Sequence, residues 1–286
     1  MALPPLLRRA IRHFGKPALE ALLPWAEQLT GFQTPDGDYL PYRLAMLLRL
    51  YELTELRLMQ GFLVPGQTIL DIGANVGYTT RFFAKQAGRS GRVHAFEPNP
   101  LIFPLLRKNV VRFRNVEAYN LGLSTADGEI PLFLAGNNHF VGGFSPDYAV
   151  RQLAYGTKKS PDSVSAQVVQ GDGFLRAHGI ERVDVVKIDV EGWELRVLSG
   201  LESIVSRSRT LVIFCELNPV AQECAGRRPG ELIDWFFDRH FTITYANDGK
   251  LQPLSANSVD EVIARARASN HITLFTRKDA ASAGQT

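Results

Sequence analysis

Two short segments of this 286-residue chain carry polar side chains where secondary structure alone does not require them. The first, residues 68–80, reads TILDIGANVGYTT, an apolar run that ends with Asp71 and is followed by Gly73, Asn75 and Gly77. The run is typical of a buried parallel strand, and glycines suit a backbone that turns tightly and approaches a ligand. The segment predicts a strand, a loop and a helix around a nucleotide-cofactor pocket.

An acidic residue, Glu97, ends the next apolar strand at residues 92–96. At this position a carboxylate can accept hydrogen bonds from both hydroxyls of a ribose. Dinucleotide enzymes place G-x-G-x-x-G in the preceding loop, whereas this chain has D-x-G-x-N-x-G. An acceptor at Asp71 suits a cationic amino-acid moiety, which favours S-adenosylmethionine over a nicotinamide dinucleotide. An ordinary strand, turn and helix with a capping Asn75 is the alternative.

The second segment, residues 183–194, reads VDVVKIDVEGWE. Lys187, Asp189 and Glu191 alternate, so on an extended strand they point the same way and could share one wall of a crevice. Because an unpaired buried charge is costly, the lysine and the acids are expected to pair at the open end of the strand. The alternative is a solvated salt-bridge ladder that caps a helix at residues 192–205.

The composition fits a globular enzyme, with 45% hydrophobic and 21% charged residues. The net charge of +3 comes without a sustained basic run, so a nucleic-acid partner is not expected. Two cysteines, Cys215 and Cys224, indicate neither a disulfide framework nor a zinc site and suit a cytoplasmic location. An amphipathic helix is expected within residues 1–30, packed on its own domain or contacting a membrane surface or a second subunit.

The pattern of apolar runs predicts an α/β fold in which strands and helices alternate around a mostly parallel sheet. We expect N-terminal helices and a hairpin in residues 1–62, a Rossmann-like domain in 63–278 and a flexible tail in 279–286. Within the first part, residues 32–42 read as the hairpin and 43–62 as one helix. Residues 135–163 read as a long loop that shapes the substrate pocket. Strands are predicted at 67–72, 92–96, 116–121, 128–134, 164–170, 183–189, 209–216, 241–247 and 270–276, and further helices at 77–87, 100–113, 171–178, 192–205, 229–240 and 259–268.

Together the motifs resemble the FkbM family of S-adenosylmethionine-dependent methyltransferases. The resemblance rests on DIGANVGY at residues 71–78, FEPNP at 96–100 and KIDVEGWE at 187–194, with LGLS at 121–124 and FCELN at 214–218. It extends over about four-fifths of the chain, which makes it far more specific than a lone glycine motif. It implies a Rossmann-like sheet with an antiparallel last strand, S-adenosylmethionine as methyl donor and a hydroxyl oxygen as acceptor.

The resemblance also implies positions for individual residues. Asp71, Gly73, Asn75 and Gly77 would surround the methionine part of the cofactor, and Glu97 would hold the ribose. Residues implied near the adenine or the sulfonium are Asn120, Gly122 and Asp172. Asp189 would lie beside the methyl group, with Lys187 and Glu191 next to it.

Transfer of a methyl group to a hydroxyl oxygen requires removal of the hydroxyl proton, for which Asp189 is the first candidate base and Glu191 the second. Lys187 would orient the acid or stabilise an alkoxide. Candidate substrate-pocket residues are Asn138, His139, Glu216 and Asn218, and His139 is an alternative base. Asp189, Glu191 and Glu216 could ligate a divalent metal, but the charge of Lys187 argues against one.

The expected acceptor is a small hydroxylated molecule, namely a sugar, a polyketide, another secondary metabolite or a glycolipid. Three alternatives stay open from the sequence. A nucleic-acid methyltransferase lacks the expected interleaving of aromatic and basic residues. An N-methylating enzyme would carry its Asn-Pro site after the fourth strand, whereas Asn218 and Pro219 follow the fifth. A cofactor-binding module without catalysis is disfavoured by the intact Lys187, Asp189 and Glu191.

Overall fold

The computed structural model describes residues 15–135, 138–153 and 162–278. Its centre is an eight-stranded sheet, accompanied by a four-stranded sheet. The strands are β1 (Thr68–Ile72), β2 (Arg92–Phe96), β3 (Val116–Tyr119), β4 (Gly122–Ser124), β5 (Gly128–Ala135), β6 (Asn138–Gly143), β7 (Asp162–Gln170), β8 (Val185–Ile188), β9 (Leu211–Leu217), β10 (Thr242–Asn247), β11 (Lys250–Pro253) and β12 (Ile272–Lys278).

The large sheet has the strand order β11-β10-β12-β9-β8-β1-β2-β3. Strands β9, β8, β1, β2 and β3 run parallel, so their carboxyl ends meet at one edge. The last strand, β12, pairs antiparallel with β9 and with β10. The predicted α/β class, with a mostly parallel sheet and an antiparallel last strand, is confirmed.

Helices cover both faces of this sheet, as its apolar strands require. They are α1 (Lys16–Thr30), α2 (Leu40–Leu47), α3 (Leu53–Gln60), α4 (Tyr78–Ala87), α5 (Phe103–Val110), α6 (Pro146–Leu153), α7 (Gly171–Ala177), α8 (Glu194–Gly200), α9 (Glu202–Arg207), α10 (Pro219–Cys224), α11 (Pro229–Asp238) and α12 (Val259–Ser269). None of the helices described is both long and apolar enough to cross a membrane.

The hairpin predicted at residues 32–42 is wrong. Only its turn at residues 36–37 forms, and α2 starts at Leu40, with a proline next to it in the first turn where the missing amide costs nothing. The helix predicted at 43–62 is also interrupted. It divides into α2 and α3 because Arg49 and Glu52 adopt left-handed backbone conformations between them.

The long loop predicted at residues 135–163 is largely regular structure. Strand β6 pairs with β5, α6 follows, and β7 begins at Asp162, so the described part of this segment contributes a helix and strand residues of the four-stranded sheet of order β4-β7-β5-β6. The sequence hides β6 because its alternation is interrupted by glycines and by an irregular pairing next to Ala135. Residues 136–137 and 154–161 lie outside the described part.

The N-terminal helix packs on the main domain through one face. Leu19 and Leu23 of α1 join an apolar cluster with Met46, Val76 and Ile102. Its outer face leaves three large side chains exposed, namely Leu22, Trp25 and Leu29. Packing on its own domain accounts for the inner face, and a contact of the outer face with a membrane or a second subunit stays a prediction. Residues 1–14 and the predicted tail at 279–286 lie outside the described part.

Gly73 is required by the close approach of two strand ends. Its φ is 80°, and a Cβ placed there would lie 1.9 Å from the carbonyl oxygen of Asp189. A backbone oxygen cannot move aside as a flexible side chain can. Glycine therefore lets the loop after β1 lie directly against the residue after β8, and the two loops form one wall.

We expect Gly73→Ala to lower the free energy of unfolding by at least about 2 kcal/mol, because both the left-handed backbone and the contact with Asp189 become strained. Gly128→Ala is the matched control, since no atom lies within 4 Å of a Cβ at that position. The control should change stability by about 0.5 kcal/mol or less in urea denaturation. Equal stability of the two variants would show that the loops can separate at little cost.

Candidate active site

One crevice opens at the carboxyl ends of β1, β2, β8 and β9. The loops after β1 and β2 form one side, and the residues on and after β8 and β9 form the floor. Three other parts of the chain complete it, namely the segment around α2 and α3, the region from β5 to α6, and the turn before β12. The residues that these parts contribute include Tyr42, Tyr51, Glu52, Leu132, Phe144, Tyr148 and His271.

Glu97 joins the two loops on the β1–β2 side. Its Oε2 accepts a hydrogen bond from the backbone N–H of Asn75 (2.7 Å), and its Oε1 accepts one from the N–H of Asn99 (2.9 Å). Burial raises the pKa of Glu97 to about 7 although these amides oppose the shift. Asn75 presents its amide from a left-handed conformation with a φ of 49°. The carboxylate lines the crevice, and each oxygen keeps a lone pair for a ligand.

Asp71 lies beneath the crevice and does not line it. Its side chain is fully buried, with Oδ2 accepting a hydrogen bond from Thr80 Oγ1 (2.6 Å) and Oδ1 3.7 Å from Lys187 Nζ. Asp71 and Lys187 are register partners on adjacent strands, which places both side chains on the same face of the sheet. The sequence led us to expect Asp71 on the surface that a cationic ligand would contact. The structure instead buries its side chain beneath that surface.

Lys187 connects the ends of β1 and β8 with one ammonium group. Its Nζ donates to the carbonyl oxygen of Gly73 (2.9 Å), lies 3.1 Å from Asp189 Oδ2 and also contacts Asp71. Only 10% of its side chain is exposed, which excludes a solvated salt-bridge ladder. Burial by itself lowers the pKa of Lys187, but Asp189, Asp71 and Glu52 raise it above the ordinary value, so the group is charged.

Asp189 is the carboxylate of this pair that faces the crevice. Its side chain is 38% exposed, in contrast to Asp71 and Lys187. Burial raises its pKa, yet the charge of Lys187, followed by that of His271, leaves the pKa below the ordinary value. Asp189 is therefore ionised at neutral pH. The pairing of Lys187 with an acid at the strand's open end, which the sequence predicted, is present in the structure.

Glu191 reaches the same crevice by a different route from the one predicted. Strand β8 ends at Ile188, before Asp189, and Glu191 has a φ of 52°, so simple alternation does not place it. Its Oε2 accepts hydrogen bonds from Tyr148 Oη (2.6 Å) and Asn218 Nδ2 (3.0 Å). Burial and the nearby charge of Asp189 raise the pKa of Glu191 to about 8.

Glu216 closes the far side of the acidic floor. Its Oε1 lies 3.2 Å from Nδ1 of His271, and the residue is 8% exposed. Burial first, and then the charges of Glu191 and Asp189, raise the pKa of Glu216 well above its ordinary value. Burial lowers the pKa of His271, although the charges of Asp189 and Glu55 oppose this shift.

Sequence reasoning missed several residues that line the crevice. The most consequential is Glu52, which lies in the break between α2 and α3 and whose pKa is raised to about 7 by burial and by Asp189. The sequence read it as a residue of an uninterrupted helix. Tyr148 and His271 were not predicted as site residues. No motif marks these positions, because they come from segments remote in sequence.

Other predicted site residues lie elsewhere. Asp172 accepts hydrogen bonds from the backbone N–H groups of Ser203 (2.7 Å) and Ile204 (3.0 Å) at the start of α9, which is a structural role. Asn120 donates to the carbonyl oxygen of Glu97 (2.8 Å) and thus supports the loop, and Gly122 packs near Pro98 without lining the crevice. The backbones of Asn138 and His139 belong to β6, and their side chains lie outside the described part.

The geometry is that of a nucleotide-cofactor crevice in a doubly wound sheet, and comparison with known families identifies its class. A family model described as a methyltransferase FkbM domain matches residues 71–243, more than half of the chain. The chain therefore carries a domain of the methyltransferase class. More narrowly, it belongs to the FkbM methyltransferase family, as the motifs indicated.

Individual relatives are more distant. The 31-O-demethyl-FK506 methyltransferase FkbM of Streptomyces tacrolimicus is 31% identical over 158 residues, 48% of this chain and 60% of that protein. The hexuronic acid methyltransferase AglP of Haloferax volcanii is 30% identical over 146 residues, 50% of this chain and 53% of that protein. The matches thus span little more than half the length of these relatives. Cofactor-bound Rv0187 from MTB gives a TM-score of 0.45 at 13% identity, covering 98% of both chains.

The pKa of Glu191 predicts how stability varies with pH. Since the pKa rises from the ordinary 4.5 to about 8 on folding, the folded state holds a proton that the unfolded state releases. Its contribution to stability is thus greatest below pH 4.5 and is lost progressively up to about pH 8.

We expect Glu191→Gln to make the decline in unfolding free energy over this window shallower, as measured by urea denaturation at several pH values. Glu231→Gln is the control, because Glu231 lies on α11 outside the crevice and its pKa is lowered, so that its titration falls below this window. An unchanged slope in the Glu191 variant would show that Glu191 is ionised in the folded state throughout.

Proposed function

We propose that this methyltransferase binds S-adenosylmethionine in the crevice and transfers its methyl group to a hydroxyl oxygen of a small molecule. The observation that carries the proposal is the meeting, in one crevice, of Glu97 with the Lys187–Asp189 pair at the ends of adjacent parallel strands. Membership of the FkbM family supports it independently.

The β1–β2 side is the cofactor side. Glu97 accepts hydrogen bonds from the ribose hydroxyls through the lone pairs that the backbone N–H groups of Asn75 and Asn99 leave free. The methionine part lies along the loop of residues 73–77, above Asp189. Asp71 acts at one remove, because it fixes Lys187, which in turn holds the carbonyl oxygen of Gly73 in place. A sulfonium and an ammonium are cationic, so the acidic floor favours both.

Methyl transfer requires an in-line approach of the acceptor oxygen to the methyl carbon. The new oxygen–carbon bond forms as the carbon–sulfur bond breaks, and the bonding electron pair leaves with sulfur as S-adenosylhomocysteine. The hydroxyl proton passes to Asp189, which is exposed to the crevice and ionised. Lys187 keeps Asp189 charged and oriented, whereas Glu191, the second candidate base, keeps its own proton up to about pH 8 and would accept one only above that pH.

The names of the relatives favour a hydroxylated acceptor. They describe enzymes that act on 31-O-demethyl-FK506 and on a hexuronic acid, and a third relative, NoeI of Sinorhizobium fredii, is described as a 2-O-methyltransferase. Both these names and the hydrogen-bonding groups of the crevice favour a hydroxylated acceptor, and we propose a sugar or a polyketide. Glu216, Asn218 and Tyr148 lie on the acceptor side, where hydroxyl groups find both donors and acceptors.

Calorimetry tests the cofactor directly. We expect heat on titration of S-adenosylhomocysteine into the protein and none with NADH. Glu97→Ala should weaken the affinity at least about tenfold, because the ribose contacts and the loop anchor are both lost. Glu20→Ala, on the exposed side of α1, should bind as the wild type does. Absence of heat with S-adenosylhomocysteine would remove the basis of the proposed function.

Release of S-adenosylhomocysteine against a panel of hydroxylated sugars and polyketides tests catalysis. Asp189→Asn keeps the shape of the side chain but removes the base, so kcat should fall about 100-fold or more. Asp234→Asn, the same substitution on the exposed face of α11, should leave the rate unchanged. If kcat falls less in Asp189→Asn than in Glu191→Gln, the role of base would pass to Glu191. Cofactor binding without turnover on any acceptor would favour a non-catalytic module.

A further inference from the structure

Three carboxylates converge on the floor of the crevice. Asp189, Glu191 and Glu216 each offer one oxygen atom, and these three oxygens lie within 4.8 Å of one another. Oxygen ligands of Mg²⁺ and Ca²⁺ lie about 2.0–2.6 Å from the ion, so two ligands of one ion are separated by at most about 5 Å. The three oxygens are therefore spaced as ligands of a single ion would be.

The second oxygen of each carboxylate is held by a donor. Asp189 Oδ2 faces Lys187, Glu191 Oε2 accepts from Tyr148 and Asn218, and Glu216 Oε1 faces His271. Carboxylates that ligate a metal are commonly oriented by such outer hydrogen bonds. These contacts fix the orientation of all three groups and leave one oxygen of each available.

Glu216 gives a separate indication of a missing partner. The residue is 8% exposed, and its Oε2 is buried with no hydrogen-bond donor in the part of the chain that the structure describes. An unpaired buried carboxylate oxygen is costly and calls for a proton or a cation. We propose that Asp189, Glu191 and Glu216 bind one divalent cation of the hard, oxygen-preferring kind, such as Mg²⁺ or Mn²⁺.

Charge balance favours a cation in addition to Lys187. The ammonium of Lys187 donates to Gly73 and contacts Asp71 and Asp189, whereas its charge acts on Glu216 only at longer range. The sequence argument against a metal assumed that one lysine neutralises the whole cluster. The competing explanation is a proton shared between Glu216 and Asp189, and the experiment below separates the two.

What the cation does rests on the proposed function, whereas its binding does not. The acceptor hydroxyl would occupy an open coordination position facing the crevice, where the ion lowers the pKa of the hydroxyl. The proton then passes to a carboxylate oxygen that does not hold the ion. Asp189 has two oxygens and one of them, Oδ2, is on the Lys187 side, so it can serve as ligand and base.

The test is a titration of chelator-treated protein with Mn²⁺, without S-adenosylmethionine, followed by electron paramagnetic resonance. We expect one Mn²⁺ per chain, displaced by Mg²⁺. Glu216→Gln and Glu191→Gln should each weaken binding at least about tenfold. The control Glu20→Gln should bind as the wild type does. Absence of binding up to about 1 mM, or wild-type affinity in both folded variants, would overturn the proposal.

Wild-type protein alone supplies a second measurement should the variants fail to fold. Bound Mn²⁺ should broaden the nuclear magnetic resonance signals of the His271 ring, which lies against Glu216, but not those of His178, which stacks on Phe174 outside the crevice. Broadening of neither ring would refute this location. An infrared band of a protonated carboxyl that persists in the presence of Mn²⁺ in the wild type but is absent from Glu216→Gln would assign a shared proton instead. Heat with S-adenosylhomocysteine, measured in parallel, distinguishes failure of this proposal from failure of the proposed function.

Discussion

The buried ammonium of Lys187 is the interaction on which the crevice depends. It touches the carbonyl oxygen of Gly73, the carboxylate of Asp71 beneath the crevice and the carboxylate of Asp189 within it. Removal of one partner of such a buried pair leaves an uncompensated charge and is strongly destabilising. Because Lys187 joins β8 to the loop after β1, it also sets the distance between the cofactor side and the acidic floor.

The same cluster makes the crevice suited to a positively charged ligand. Burial raises the pKa values of Glu52, Glu97 and Glu191 to between about 7 and 8, which means that each carboxyl resists ionisation until a positive charge approaches. A sulfonium ion or a metal ion supplies that charge. Ligand binding should therefore release protons from these groups, and the free crevice avoids the repulsion of a fully ionised cluster.

The sequence predicted those site residues that lie at strand ends. Asp71, Glu97 and Asp189 follow apolar runs, and parallel strands bring such positions to one edge. The sequence did not show which of these side chains faces the crevice and which points into the interior. Asp71 is one residue before the turn and points into the interior, so the same motif contributes a structural carboxylate and, through Asn75, a loop amide that holds Glu97.

Two elements of the N-terminal region were predicted poorly, each for a physical reason. A Pro-Asp-Gly turn specifies a reversal of the chain but not the structure on either side of it, so the flanks at residues 32–42 were free to form a helix start. The break at Glu52 depends on its packing in the crevice, which no local pattern encodes. Tertiary contacts decided both elements.

Under the proposed function the acceptor side is covered by segments outside the parallel strands, two of which the sequence predicted poorly. Glu52 comes from the break before α3, Tyr148 from α6 and His271 from the turn before β12, whereas the cofactor side is built by β1 and β2 and their loops. Segments outside the parallel strands can change without disturbing the pairing of β1, β2 and β8. Under the proposed function this division would separate acceptor recognition from methyl donation, so that the acceptor could change while the strand-end site stays the same.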